Sequence, residues 1–381
     1  MMRLSACVTL VGGYGAGNLG DDALMTAVLT LVREVVNDED ICVRVEKDCE
    51  YLHRVFPSIR FVQTRCNATV TSTVLLYGGG TQFFSFSNTC TYSQPLWRRG
   101  LRYALNPPSL YRRLFRSAKL SLESERYAAI TIGIGPFVPN SRGEQSAERN
   151  LKHCEWLSVR DPVSYEYCKR LGLANVRLHA DLCFAKRLWM SETINRNSQS
   201  SELKSIGIVM RDWPHDAEGS SYVGPLLDAG EKLRSDGRVV RYISFAPATD
   251  RVTLSALRER REEVIQWEPS TMWFEEFAAR LGGFDLLVSA RAHGIIIGAA
   301  LGIPSIAIEL EPKLRLICDQ LRTGTEIWSP PFRAEDLVNQ VKRMGDRWDT
   351  YHAAVASSAI RCAEDALAGG EALKDYLRSL V

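Results

Sequence analysis

Residues 286–313 read LLVSARAHGIIIGAALGIPSIAIELEPK, and the fold class follows from how this stretch divides. Leu286–Ser289 suits a strand buried on both faces, and Gly294–Leu301 suits a helix. Gly302 and Pro304 then punctuate the chain before a second apolar strand, Ser305–Glu309. Strand, helix and strand joined by short turns make a parallel βαβ unit, which places Arg291 and His293 at the carboxyl end of a strand. The same breakers, and its modest length, exclude residues 294–310 as a membrane span.

Working outward, the alternation continues in both directions. Upstream, Ala6–Val11, Val74–Tyr77, Ala128–Ile134 and Leu157–Arg160 read as strands, and Ala23–Val36 reads as a helix. Asp161 followed by Pro162 is an N-cap with proline in the first helical turn, starting a helix that runs to Arg170 and stops at Gly172. Residues 191–205, SETINRNSQSSELKS, lack apolar periodicity and read as a linker. Alternation then restarts with strand Ile206–Met210. The expected architecture is α/β: two doubly wound Rossmann-like domains facing across a cleft, residues 1–190 and 206–381, joined by 191–205.

At 381 residues the chain is long enough for two such domains, and 45% hydrophobic with 24% charged residues excludes a largely disordered chain. Lys plus Arg number 47 against 45 Asp plus Glu, so the net charge of +2 gives no reason to expect a nucleic-acid partner. Ten cysteines lie scattered with no CxxC pair, which suits a reducing cytoplasm better than disulfides or a zinc site. No targeting signal, transmembrane helix, metal or cofactor is expected.

Several strand ends carry polar residues. Residues 15–20, GAGNLG, match GxGxxG, but Asp21 and Asp22 would occupy the positive end of the following helix and repel a pyrophosphate. The turn either caps the helix or brings Asn18, Asp21 and Asp22 into the cleft to meet sugar hydroxyls. Gly79 and Gly80, after Val74–Tyr77, permit a close backbone approach to a ligand or a loop crossing, and Gly133–Pro136 ends its strand similarly. Arg160, Arg211, Arg291, His293 and Lys313 each follow a strand. With no Asn or Asp cap before Gly294, the helix there offers free N–H groups to an anion. Four cations and one titratable proton donor suit a small, multiply charged anion.

With these residues assembled, the chain resembles the polysaccharide pyruvyl transferase family. The stretches that carry the resemblance are GGYGAGNLGDDAL (12–24), YGGGTQFF (77–84), TIGIGPF (131–137), SVRDPVSYEYCKRLG (158–172), HADLCF (179–184) and SARAHGIIIGAALGIPSIAIELEPK (289–313), in the family order. The family usually shows Arg-Leu-His where this chain has Arg291-Ala292-His293, and commonly Tyr-Asp where it has Leu310-Glu311. The resemblance implies a GT-B-like fold and transfer of pyruvate from phosphoenolpyruvate to two hydroxyls of a sugar, as a cyclic ketal. His293 would protonate the methylene carbon. Arg291, Arg160 and Lys313 would hold carboxylate and phosphate, with Arg211 beside them, and Asp21 or Asp22 would orient a hydroxyl. A GT-B nucleotide-sugar glycosyltransferase gripping ribose through Glu309 or Glu311 is the nearest alternative, and a non-catalytic glycan- or phosphate-binding protein is another.

Residues 81–120 hold seven Lys or Arg and no acid, interleaved with aromatics. They read either as short helices covering the sheet or as a surface resting on the inner face of the membrane, where a lipid-linked acceptor would be presented.

Overall fold

The computed structural model describes residues 2–47, 50–85, 120–191, 202–213 and 221–380. Two parallel sheets organise them. The first contains β1 (Met2–Val11), β2 (Ile41–Val45), β3 (Arg60–Gln63), β4 (Ala68–Phe83), β5 (Ser121–Ile134), β6 (Cys154–Val159) and β7 (Val176–Leu178), in the order β3-β2-β1-β4-β5-β6-β7. The second contains β8 (Ser205–Met210), β9 (Val239–Ser244), β10 (Val264–Gln266), β11 (Leu286–Ser289), β12 (Ser305–Ile308) and β13 (Thr325–Trp328), ordered β10-β9-β8-β11-β12-β13. Strand order therefore reverses direction beside β1 in one sheet and beside β8 in the other. Those switch points leave crevices at the carboxyl ends of the strands.

Apolar runs make the central strands. Val8 pairs in register with Ile41 on one side and Val74 on the other, and Leu287 pairs with Ser305. All four residues of β11 and of β12 are buried, as strands with helices on both faces require. β4 and β5 extend well before the expected Val74 and Ala128. Their first halves do not form apolar runs: ATVTST is rich in β-favouring Thr, and SLESERY carries three charged residues.

The helix after β1 spans Leu19–Val32, and the helix after β6 spans Pro162–Arg170, capped by Asp161, which accepts the N–H of Ser164. Leu19–Val32 is buried almost all round because, besides its own sheet, it packs against the 3-10 turns Leu182–Phe184 and Lys186–Leu188 and against helices Phe274–Leu281 and Trp348–Arg378 of the second half. The Leu19 N–H donates to the Phe245 carbonyl at 3.0 Å. One hydrophobic cluster runs from Val8 and Leu10 through Leu29 to Ile208, Ile296 and Leu373.

The last helix, Trp348–Arg378, crosses between the halves. Near its start Val355 packs on Gly324, and Arg361 donates to the Gln320 carbonyl at 2.9 Å. Further on, Asp365 accepts the Ala180 N–H at 2.7 Å, Gly370 packs on Leu31, Lys374 pairs with Glu34, and Tyr376 stacks on Trp156. Residues 206–381 therefore do not form a separate body, since their final helix completes the first half. The expected linker lies largely outside the described residues, as does most of the basic-aromatic segment 81–120. Among the described residues no helix is long and apolar enough to cross a membrane.

Candidate active site

The carboxyl ends of the two sheets face each other across a cleft of about 880 Å³. Asn18, Asp21, Thr81 and Arg160 line it from the first half. Arg211, Arg291, His293, Glu311 and Lys313 line it from the second. Seven of the residues singled out from the sequence are thus brought together by five different strand-end turns.

The turn that carries Arg291 and His293 is built by its neighbours. Ser289 Oγ donates to the Arg291 carbonyl (2.8 Å) and accepts the Arg291 N–H (3.1 Å). A Cβ on Gly294 would lie 2.2 Å from that Oγ, so only glycine lets the helix Ala292–Ala300 start so close to the strand. No side chain caps this helix, which starts beside the cleft-lining Arg291, Ala292 and His293. Arg160 is fixed just as tightly. Its Nη1 meets Asp181 at 2.7 Å, its Nη2 meets Thr81 at 3.0 Å, and a Cβ on Gly133 would fall 3.0 Å from its Nε.

Each cation has a buried carboxylate partner, and only for Lys313 is that partner a near neighbour in sequence. Arg160 pairs with Asp181, Arg291 with Asp250 at 2.5 Å, and both Arg211 and Lys313 with Glu311, the latter at 2.8 Å. Four cations share three carboxylates, and Arg211 and Lys313 converge on the single Glu311, so cationic N–H groups on that side are left over for an anion. Burial raises the Asp181 carboxyl, but His293 and Arg160 outweigh it and hold the group well below the usual range. Glu311 behaves likewise through Lys313 and Arg211. Burial lowers Lys313 to about 8 in spite of Glu311, and burial also lowers Arg291. Two buried polar atoms at this point, Nε of Arg291 and Nε2 of His293, have no hydrogen-bond partner. Buried donors left unmade are costly, and they mark where a ligand completes the set.

The two aspartates of the first turn separate. Asn18 caps the helix through Gly20 N (3.2 Å) and donates to Asp21 at 2.7 Å, on the cleft wall. Burial raises the Asp21 carboxyl, with His293 opposing. Asp22 departs from the expected placement. It points inward, fully buried, and accepts from Tyr51 Oη (3.0 Å) and from Trp267 Nε1 (2.9 Å) in the other half. A carboxylate so enclosed is not on the cleft wall to orient a hydroxyl. Gly79 and Gly80 also sit behind the wall, with φ of +69° and +71°, and a Cβ on Gly79 would come 2.8 Å from Leu24. Their glycine requirement is one of backbone geometry and helix packing.

Asp181, Cys183 and His293 bring three ligand atoms within 4.8 Å of one another. The set is poorly suited to a cation. Asp181 Oδ2 is already paired with Arg160, and burial pushes the Cys183 thiol well above its ordinary range, away from the thiolate a metal needs.

A family model described as polysaccharide pyruvyl transferase matches residues 18–312. No curated protein matches the chain by sequence. Among solved structures, S. aureus MnaA in its UDP co-structure is 10% identical, with TM-score 0.60 over 100% of this chain and 98% of that one. A putative UDP-N-acetylglucosamine 2-epimerase from Listeria monocytogenes is 10% identical, with TM-score 0.53 and 94% of each chain covered. The Methanocaldococcus jannaschii UDP-GlcNAc 2-epimerase, with UDP-GlcNAc and UDP, is 11% identical, with TM-score 0.52 over 90% and 92%. At such identities the likeness concerns the fold, which is GT-B-like.

Proposed function

Because the chain belongs to the polysaccharide pyruvyl transferase family, we propose that it transfers pyruvate from phosphoenolpyruvate to two hydroxyls of one sugar, forming a cyclic ketal and releasing phosphate. The observation that carries this reading is the pair of unpartnered buried atoms, Arg291 Nε and His293 Nε2, beside Arg160, Arg211 and Lys313.

Phosphoenolpyruvate presents a carboxylate and a phosphate, and the cations would bind both and favour phosphate as it leaves. Protonated His293 would donate a proton to the methylene carbon, converting it to a methyl group and making C2 electrophilic. A first sugar hydroxyl adds to C2 and loses its proton, with Asp21 oriented to receive it. Phosphate then departs with the electron pair of the C2–O bond, and the second hydroxyl closes the ring, its proton passing to the departing phosphate. Donor plus diol becomes ketal plus phosphate, with no redox change and no cofactor required.

The rival nucleotide-sugar reading has less to work with. Glu309 is held by Arg315 (2.7 Å) and Ser329, and Glu311 by Arg211 and Lys313, so neither carboxylate is at liberty to grip a ribose. A cytoplasmic site, where phosphoenolpyruvate is made, and an acceptor carried on a lipid belong to the same proposal. The test is incubation with phosphoenolpyruvate and a panel of free, nucleotide-linked and lipid-linked sugars. Phosphate release is expected, together with a mass gain on one acceptor equal to pyruvic acid less one water. Transfer of a glycosyl unit from a nucleotide sugar, with phosphoenolpyruvate inert, would overturn the reading.

A further inference from the structure

Asp181 caps the short 3-10 turn Leu182–Phe184 after β7, in the first half of the molecule, and is 2% exposed. Its Oδ1 is taken by the Cys183 N–H at 3.0 Å, which fixes the plane of the carboxylate. Its Oδ2 accepts Arg160 Nη1 at 2.7 Å and faces His293 Nε2, from the second half, at 3.8 Å. That nitrogen has no hydrogen-bond partner, and the opposite edge of the ring lies against Gly20. The imidazole is therefore held between a glycine backbone and a fixed carboxylate.

We infer that Asp181 is a positioning residue that holds His293 with a proton on Nε2 and ties this proton donor to Arg160 across the boundary between the halves. The inference rests on the reading of His293 as the proton donor. A carboxylate facing one ring nitrogen selects the tautomer protonated there and stabilises the imidazolium. At 3.8 Å the carboxylate attracts the Nε2 proton without capturing it in a hydrogen bond, so the same N–H stays available to the methylene carbon. Sharing Oδ2 couples the two roles, since an anion that draws Arg160 forward draws the carboxylate with it.

The simpler account is that Asp181 only neutralises a buried arginine. The two accounts differ in a double-mutant cycle. Asp181→Asn is expected to lower kcat for pyruvyl transfer about 10- to 100-fold, bounded by the loss from removing the general acid itself. In the His293→Ala background the same change is expected to cost less than about twofold, because the two residues act as one unit. Equal losses in both backgrounds would overturn the inference. If Asp181→Asn fails to fold, Asp181→Glu keeps the charge against Arg160 while moving the oxygens, and unchanged kcat in that variant would also overturn it.

A second arm needs no turnover. Ring ¹⁵N resonances of His293, recorded on the whole protein with and without phosphoenolpyruvate, report which nitrogen carries the proton. Wild type is expected to be predominantly Nε2–H, with Nδ1–H gaining in Asp181→Asn. A wild-type ring that is mainly Nδ1–H, or an unchanged ratio in the variant, would sink the inference. Absence of pyruvyl transfer by wild type would instead sink the functional reading and leave this arm decisive.

Discussion

Gly20 lies against the imidazole of His293, so closely that a Cβ there would come 2.2 Å from Nδ1. The two residues lie at the starts of helices in different halves, Leu19–Val32 and Ala292–Ala300, so the ring's position depends on both halves at once. Gly20→Ala must displace the ring or the start of helix Leu19–Val32. It is expected to lower kcat at least about tenfold, since small misplacements of a reacting group are costly. Phosphoenolpyruvate affinity, carried by the cations, is expected to hold. Calorimetric titration beside steady-state kinetics checks this, and an unchanged kcat would mean that the ring is free to shift.

His293→Ala removes the proposed general acid and one neighbour of Asp181 Oδ2, while the Arg291–Asp250 and Lys313–Glu311 pairs do not involve it. A loss of about 10²- to 10⁴-fold in kcat is expected, with donor binding nearly intact. Retention of more than half the wild-type rate would assign protonation to another group.

Lys313 brings a pH dependence to donor binding. Burial lowers its ammonium to about 8, so the charge is present below that pH and is lost above it. Phosphoenolpyruvate affinity is therefore expected to weaken between pH 7 and pH 9. Lys313→Arg, which stays charged, should flatten that slope even if its absolute affinity differs. Titrations at three pH values decide it, and parallel slopes for the two proteins would count against this assignment.

Asp22 gives the fold its own pH dependence. Burial raises its carboxyl from 3.8 to about 7, against the hydrogen bonds from Trp267 and Tyr51. The folded state therefore holds a proton that the unfolded chain releases between about pH 4 and pH 7. The associated stability is fully present below pH 4 and is lost as pH rises through about 7. Asp22→Asn keeps an acceptor for the indole and a donor for the Tyr51 oxygen, and cannot ionise. Its melting temperature is expected to change less than that of wild type between pH 5 and pH 8. Identical pH dependence of melting in the two proteins would refute the assignment.

The parts of the molecule legible in the sequence were those written in local pattern. Apolar runs located the centres of the main strands, and Asp161-Pro162 marked a helix start because capping is a matter of neighbouring residues. Asp181, Asp250 and Glu311 were not recognised as partners of the cleft cations. The first lies 21 residues from Arg160 and the second 41 from Arg291, in turns that only the folded sheets bring close. Asp21 and Asp22 look equivalent in sequence, but successive residues of a helix point about 100° apart, so one faces the cleft and the other the interior. That Trp267 would supply the inward partner depends on the whole tertiary arrangement.

Helix Trp348–Arg378 has a consequence for biosynthesis. Because Gly370 packs on Leu31 and Tyr376 stacks on Trp156, the first half emerges from the ribosome with part of its surface uncovered. It stays so until residues close to 378 are translated. Many two-domain chains complete their first domain while the second is still being made. Here Leu31 waits for Gly370 and Trp156 for Tyr376, so a nascent chain stalled before 348 would expose apolar surface and depend on chaperones.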